Sequence, residues 1–111
     1  MSDDPEMLTV EQVAELLGVG PTGIRAMVRD HKLLAVPTDD GLRIPAAALD
    51  GAEPVKHLFG VLVLLHDARF SPQEALRWLT TADDSLPGTP LQALHENRAT
   101  EVKRRAQALA F

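Results

Sequence analysis

No cysteine occurs among the 111 residues. That excludes disulfides, iron–sulfur clusters, thiolate zinc sites and thiol nucleophiles. Aromatics are scarce too, three phenylalanines and one tryptophan. RNA-binding sheets and single-strand grooves stack bases on aromatic side chains, so those classes are disfavoured. The longest apolar run, Leu58 to Leu65, falls far short of the ~20 residues of a membrane helix. The opening MSDDPEM is acidic where a signal peptide is basic. These absences predict a cytoplasmic protein with no membrane partner. Hydrophobic residues at 45% and charged residues at 24% fit a globular chain. Its length suits one domain, or two small units sharing a core.

A strongly basic balance is also missing. The formal net charge is −5. Residues 1–50 carry nine acids against four bases, and residues 51–111 carry seven of each. Nucleic-acid binders usually show a basic domain. Such a reading must therefore rest on local clustering, and it predicts weak nonspecific affinity.

Three segments open with a capping box: Thr9-Val10-Glu11-Gln12, Ser71-Pro72-Gln73-Glu74 and Thr89-Pro90-Leu91-Gln92. In each, a hydroxyl accepts from the backbone N–H three residues on, and a Glu or Gln reaches back. The first helix is predicted from Val10 to Leu17, with Val10, Val13, Ala14 and Leu17 on one buried stripe. Gly18 can end it in the left-handed conformation. A second short helix runs from Pro21 to about Asp30, with Ile24, Met27 and Val28 inward and Thr22, Arg25 and Arg29 on the outer face. Asp39-Asp40-Gly41 between two short apolar stretches is a hairpin signal, and Pro37 confines its strand to an edge. Ala46 to Leu49 reads as one helical turn and Asp50 to Pro54 as a linker.

Beyond it the chain reads as helical. Val55 to His66 is nearly all apolar, so periodicity leaves helix and strand both open there. Helix is preferred because Pro54 resembles a first-turn proline. Further helices are expected from Pro72 to Thr80, from Pro90 to about Asn97, and from about Thr100, the last with Val102, Ala106 and Leu109 inward. Trp78 is expected to pack between the two halves.

Gly18-Val19-Gly20-Pro21-Thr22-Gly23 matches the glycine pattern of dinucleotide-binding loops. That loop needs a strand before it within a βαβ unit, whereas here a helix precedes it. The serines serve as caps or sit in loops. His31, His57, His66 and His95 show no helical ligand spacing. Asp pairs at 3–4, 39–40 and 83–84 fall in turns or the tail. No catalytic residue, metal site or cofactor is expected.

What remains is helix, glycine turn, second helix and hairpin. Arginine bonds guanine bidentately in the major groove, and other bases hold phosphates. Thr22, Arg25 and Arg29 suit the groove, while Lys32 and Arg43, the latter expected to be exposed on a wing, suit the backbone or minor groove. By charge alone the same arginines also fit a solvated face. Lys103-Arg104-Arg105 can meet phosphates or a partner, or can be solvated beside Glu101 at i, i+4. Thr9 follows the acidic tail and caps a helix. A kinase placing a phosphate there would add about −2 charge at a helix N-terminus.

The stretch LTVEQVAELLGVGPTGIRAMVRDHKLLAVPTDDGLRIPAAAL resembles the excisionase and MerR-type winged helix–turn–helix. Ala14, Gly18 and Ile24 stand at its small, turn and aliphatic positions. With EALRWLTTADDSLPGTPLQALHENRATEVKRRAQALAF, nearly the whole chain resembles a family of small actinobacterial DNA-binding proteins, in which a helical region follows the winged helix. Gly20 departs from the usual capping Ser or Thr, and Gly23 sits inside the second helix, at a cost of about 1 kcal/mol against alanine. The resemblance implies a mostly α fold: an acidic flexible tail over 1–8, a winged helix–turn–helix with a two-stranded wing over 9–50, and a helical region over 51–111. It implies a regulator of transcription that partners double-stranded DNA and is nucleoid-associated when bound. The alternative is an interaction adaptor, because the Trp-Leu, Pro-Gly and P-L-Q-A-L layout also resembles toxin-binding domains of antitoxins. On either reading the C-terminal helices can meet another copy or another protein.

Overall fold

The computed structural model describes residues 6–110. Asp3 and Asp4 of the acidic tail lie outside the described residues. The order is β1 (Met7–Thr9), α1 (Val10–Leu17), α2 (Pro21–Arg29), β2 (Val36–Thr38), β3 (Gly41–Pro45), a 3-10 turn (Ala46–Ala48), β4 (Leu49–Asp50), β5 (Glu53–Pro54), α3 (Leu58–Asp67), α4 (Pro72–Leu79), α5 (Pro90–His95) and α6 (Ala99–Ala108). It is a mostly helical winged helix–turn–helix followed by a helical region.

All three capping boxes form, with both the hydroxyl and the returning Gln or Glu bonded. Gly18 ends α1 at φ 72, a conformation that glycine adopts without steric cost. Hairpin β2–β3 turns through Asp39 and Asp40, pairing Thr38 with Gly41. The Thr38 hydroxyl braces the turn, donating to the Gly41 carbonyl at 2.7 Å and accepting from the Asp40 N–H at 3.2 Å.

The wing is larger than the two strands expected. Met7 and Leu8 are not tail but strand β1, which pairs antiparallel with β3 and gives the sheet order β1-β3-β2. Residues 50–54 are not a plain linker either, since β4 and β5 form a short antiparallel pair there. This pair also corrects the start of α3. Pro54 closes β5, the Val55 N–H reaches the Ala48 carbonyl at 2.9 Å, and His57 takes φ 68. Helical geometry begins only at Leu58.

Two hydrophobic cores result. The first gathers Val10, Val13, Ala14, Ile24, Leu33, Ala35 and Ile44. The second is built on α3, α4, α5 and α6, and Leu34 and Ala48 from the winged half insert into it. Helix α4 also packs against β2, and His95 Nε2 meets the Ala47 carbonyl at 2.6 Å. Trp78 is half-buried against the second core, which also takes in Leu34 and Ala48 from the winged half. One inward expectation changes. Leu109 is 40% exposed, because Ala106 is the last α6 residue to reach the core.

Candidate nucleic-acid interface

Helix α2 faces two ways. Ile24 is fully buried, and Met27 and Val28 rest against the first core. Thr22, Arg25 and Arg29 sit on the opposite, exposed face, and Lys32 is exposed just past the helix end. The N-cap Gly20 makes no side-chain bond, so amide N–H groups of the first turn carry no side-chain cap. Uncapped first-turn amides attract anions, through their free N–H groups and the helix dipole. The glycine pattern lies between two helices, without the preceding strand of a dinucleotide site.

The candidate cations differ in freedom. Arg29 Nε lies 3.7 Å from Asp30 Oδ1 with both side chains well exposed, a pair worth less than ~1 kcal/mol and easily exchanged. Arg43 departs from its expected exposure. It lies on β3, the central strand, is half-buried, and donates from Nη1 to the Leu42 carbonyl at 2.9 Å. Its flanking partners are Thr9 on β1 and Val36 on β2. Directly paired residues share a sheet face, so Thr9 and Arg43 stand side by side. The Thr9 hydroxyl accepts from the Gln12 N–H at 3.0 Å.

The basic triplet on α6 does not form one surface. Lys103 runs its side chain across Gly60 of α3. Arg105 turns to the loop before α5, donating from Nε to the Ser85 hydroxyl at 2.6 Å and from Nη2 to the Ser85 carbonyl at 3.1 Å. Glu101 pairs through its carboxylate with Arg98 at 3.6 Å, while Arg105 takes only the Glu101 backbone carbonyl. Of the triplet, Arg104 alone is exposed to solvent on its helix, while Lys103 and Arg105 are half-buried.

One contact escaped the spacing rules. The rings of His31 and His66 lie 4.5 Å apart, one after α2 and the other in the last turn of α3. Helical ligand spacing detects only near neighbours in sequence, so no sequence signal marked this pair. Among the described residues, no three His, Asp or Glu side chains cluster to hold a metal, and no helix is long and apolar enough to cross a membrane.

Comparison with known proteins agrees with this geometry along nearly the entire chain. A family profile described as "DNA-binding protein Rv2175c, wHTH domain" matches residues 1–49, and one described as "Rv2175c C-terminal domain of unknown function" matches residues 55–110. The chain belongs to the Rv2175c family. The Mycobacterium tuberculosis protein named DNA-binding protein Rv2175c is 38% identical, over 97% of this chain and 84% of its own length. The NMR structure of Rv2175c superposes with a TM-score of 0.87 at 35% identity, covering 100% of this chain and 85% of that one. The Rv2175c frame thus extends over both halves, and this chain shares it as a small actinobacterial winged helix–turn–helix protein.

Proposed function

We propose that the chain binds duplex DNA selectively and regulates transcription in the cytoplasm, associated with the nucleoid when bound. In this reading residues 9–50 carry the DNA surface and residues 51–111 brace it. Thr22, Arg25 and Arg29 face the major groove, and Lys32 and Arg43 hold the backbone or minor groove. The observation that carries it is α2: a buried Ile24 fixes the helix while its opposite face presents a hydroxyl and two guanidinium groups beside uncapped amides. The M. tuberculosis relative, named a DNA-binding protein, supports the same reading. The acidic first helix, with Glu11 and Glu15, and the acidic tail keep overall affinity modest.

A salt titration tests it. With one arginine on a base, roughly three phosphate contacts remain, giving a log–log slope of about −3. Lys32→Ala or Arg43→Ala makes the slope shallower by about one unit and leaves sequence preference intact. Arg25→Ala or Arg29→Ala relaxes preference at one base pair. Equal losses on a good site and a scrambled site rule out base readout by α2.

Thr9 is proposed as a phosphoacceptor for a Ser/Thr kinase. A phosphate there would suit the α1 dipole but add to the acidity around Glu11 and stand beside Arg43, competing with DNA for that cation. Thr9→Glu should weaken DNA binding, and unchanged affinity would remove the idea.

The second reading is an interaction module meeting another copy or another protein through the C-terminal helices. The 53% exposure of Phe59 on α3 favours it. No shift of random duplex DNA at low salt selects this reading over the first.

A further inference from the structure

A cleft of about 130 Å³ opens between the two halves, with Val28 at the end of α2 in its wall. Val28, Leu33 and Leu34 wall it from the winged half, and Leu62, Leu65 and Phe70 from the helical half. A dry cavity of about 150 Å³ with such walls accepts a benzene ring, so this one suits a single six-membered ring. Its polar groups are His31, His66 and Ser71. The two imidazoles nearly touch, with ring centroids 4.5 Å apart. Each carries at least one N–H to donate. The Ser71 hydroxyl is already engaged with Glu74, accepting from its N–H at 3.1 Å and bonding its carboxylate, so the two imidazoles are the donors left for a ligand.

Among the described residues no carboxylate lines the cleft. The nearby acids are engaged or lie outside the lining: Asp30 lies 3.7 Å from Arg29, Glu74 accepts from the Ser71 N–H at 2.9 Å, and Asp67 follows His66 on the exposed side. An apolar slot rimmed by donors without acceptor acids complements an apolar body carrying an anion.

We propose that this cleft binds a small monocyclic aromatic carboxylic acid, its ring among the aliphatic side chains and its carboxylate on His31 and His66. Such a ligand would link the last turn of α2 to α3 and α4. The proposal goes beyond the DNA reading and does not depend on it, because occupancy is measured without DNA.

The test is an NMR titration of the full chain with sodium benzoate, with benzyl alcohol and acetate as probes lacking the charge and the ring. Benzoate should saturably shift the Val28, Leu34 and Leu65 methyls and the His31 and His66 ring protons, with a dissociation constant of roughly 1 mM. Benzyl alcohol should bind about tenfold more weakly, as loss of one charge-assisted hydrogen bond implies. The double variant His31→Asn and His66→Gln should erase that difference. Asparagine tolerates the left-handed backbone found at position 31, φ 62. Absence of saturable shifts in the cleft overturns the proposal. So does equal binding of benzoate and benzyl alcohol, or acetate reproducing every shift. Undiminished benzoate binding by a folded double variant also overturns it.

Discussion

The two halves spend their residues differently. In the helical half α4 and α5 start on full capping boxes, and a large core unites four helices. In the winged half α1 has a box, but α2 starts on an unbonded glycine and holds another glycine within it. Each omission lowers helix stability, by a few tenths of a kcal/mol for the cap and about 1 kcal/mol for the internal glycine. Helix α3 shares both omissions, an N-cap His57 without a side-chain bond and an internal Gly60, but it buries Leu58, Val61, Leu62 and Leu65, whereas Ile24 is the one fully buried residue of α2. The firmness of α2 comes from Ile24 within and from the half behind it. Elements that bind ligands are commonly drawn from the low-stability end of a fold.

The harshest way to break that contrast is at the joint. Leu34 belongs by sequence to the winged half and by packing to the helical core, where it is 5% exposed. Leu34→Ala should cost about 3 kcal/mol, the same scale as Leu65→Ala in the middle of that core. Both variants should lower the midpoint of one shared urea transition. Two separate transitions, with only one moved by Leu34→Ala, would show that the halves fold independently. Trp78→Ala should cost less than either, because the indole is half-exposed on the core rim.

The next effect has the opposite sign. A Cβ built at Gly23 meets only Val19, at 3.6 Å, an ordinary contact. Gly23→Ala should therefore stabilise the protein by about 1 kcal/mol, read as a raised melting temperature. At Gly60 in α3 the same change meets Lys103 Cε at 2.9 Å and must displace that side chain. Gly60→Ala should gain less than Gly23→Ala, and Lys103→Ala in the same chain should restore part of the deficit. Equal gains at the two sites would contradict the difference in packing.

How legible these features were depends on how local their causes are. The capping boxes at Thr9, Ser71 and Thr89 lie within four residues each, and all three form. The outer face of α2 follows from helical period, so the exposure of Thr22, Arg25 and Arg29 could be anticipated. Strand β1 could not, since Met7 and Leu8 extend only because β3 lies beside them. The half-burial of Arg43 has the same origin, as its strand turns out to be flanked on both sides. The start of α3 was misplaced because Val55 answers to Ala48 through β4 and β5, not to its own neighbours. His31 and His66 meet only once both halves are docked.

The smallest effect concerns acid. Two carboxylates of the helical half are held below their ordinary values. Glu74 is lowered by the Ser71 backbone N–H and then by its hydroxyl, from an ordinary value of 4.5. Asp83 is lowered by the Ser85 hydroxyl and N–H, with Arg105 adding to it, from 3.8. A carboxyl with a depressed folded value stabilises fully above its unfolded value, and loses that contribution as pH falls through the folded one. Urea midpoints should therefore hold steady down to about pH 4.5 on account of these two groups, then decline. The other two boxes use Gln12 and Gln92 in the place of Glu74, and both side-chain oxygens accept the same backbone bond. Glu74→Gln should thus keep the cap while removing its titration, and Asp83→Asn should do the same for the loop that Arg105 holds. The double variant should show a shallower acid decline than the parent at nearly unchanged neutral stability. An identical decline in both would place the acid sensitivity elsewhere in the chain.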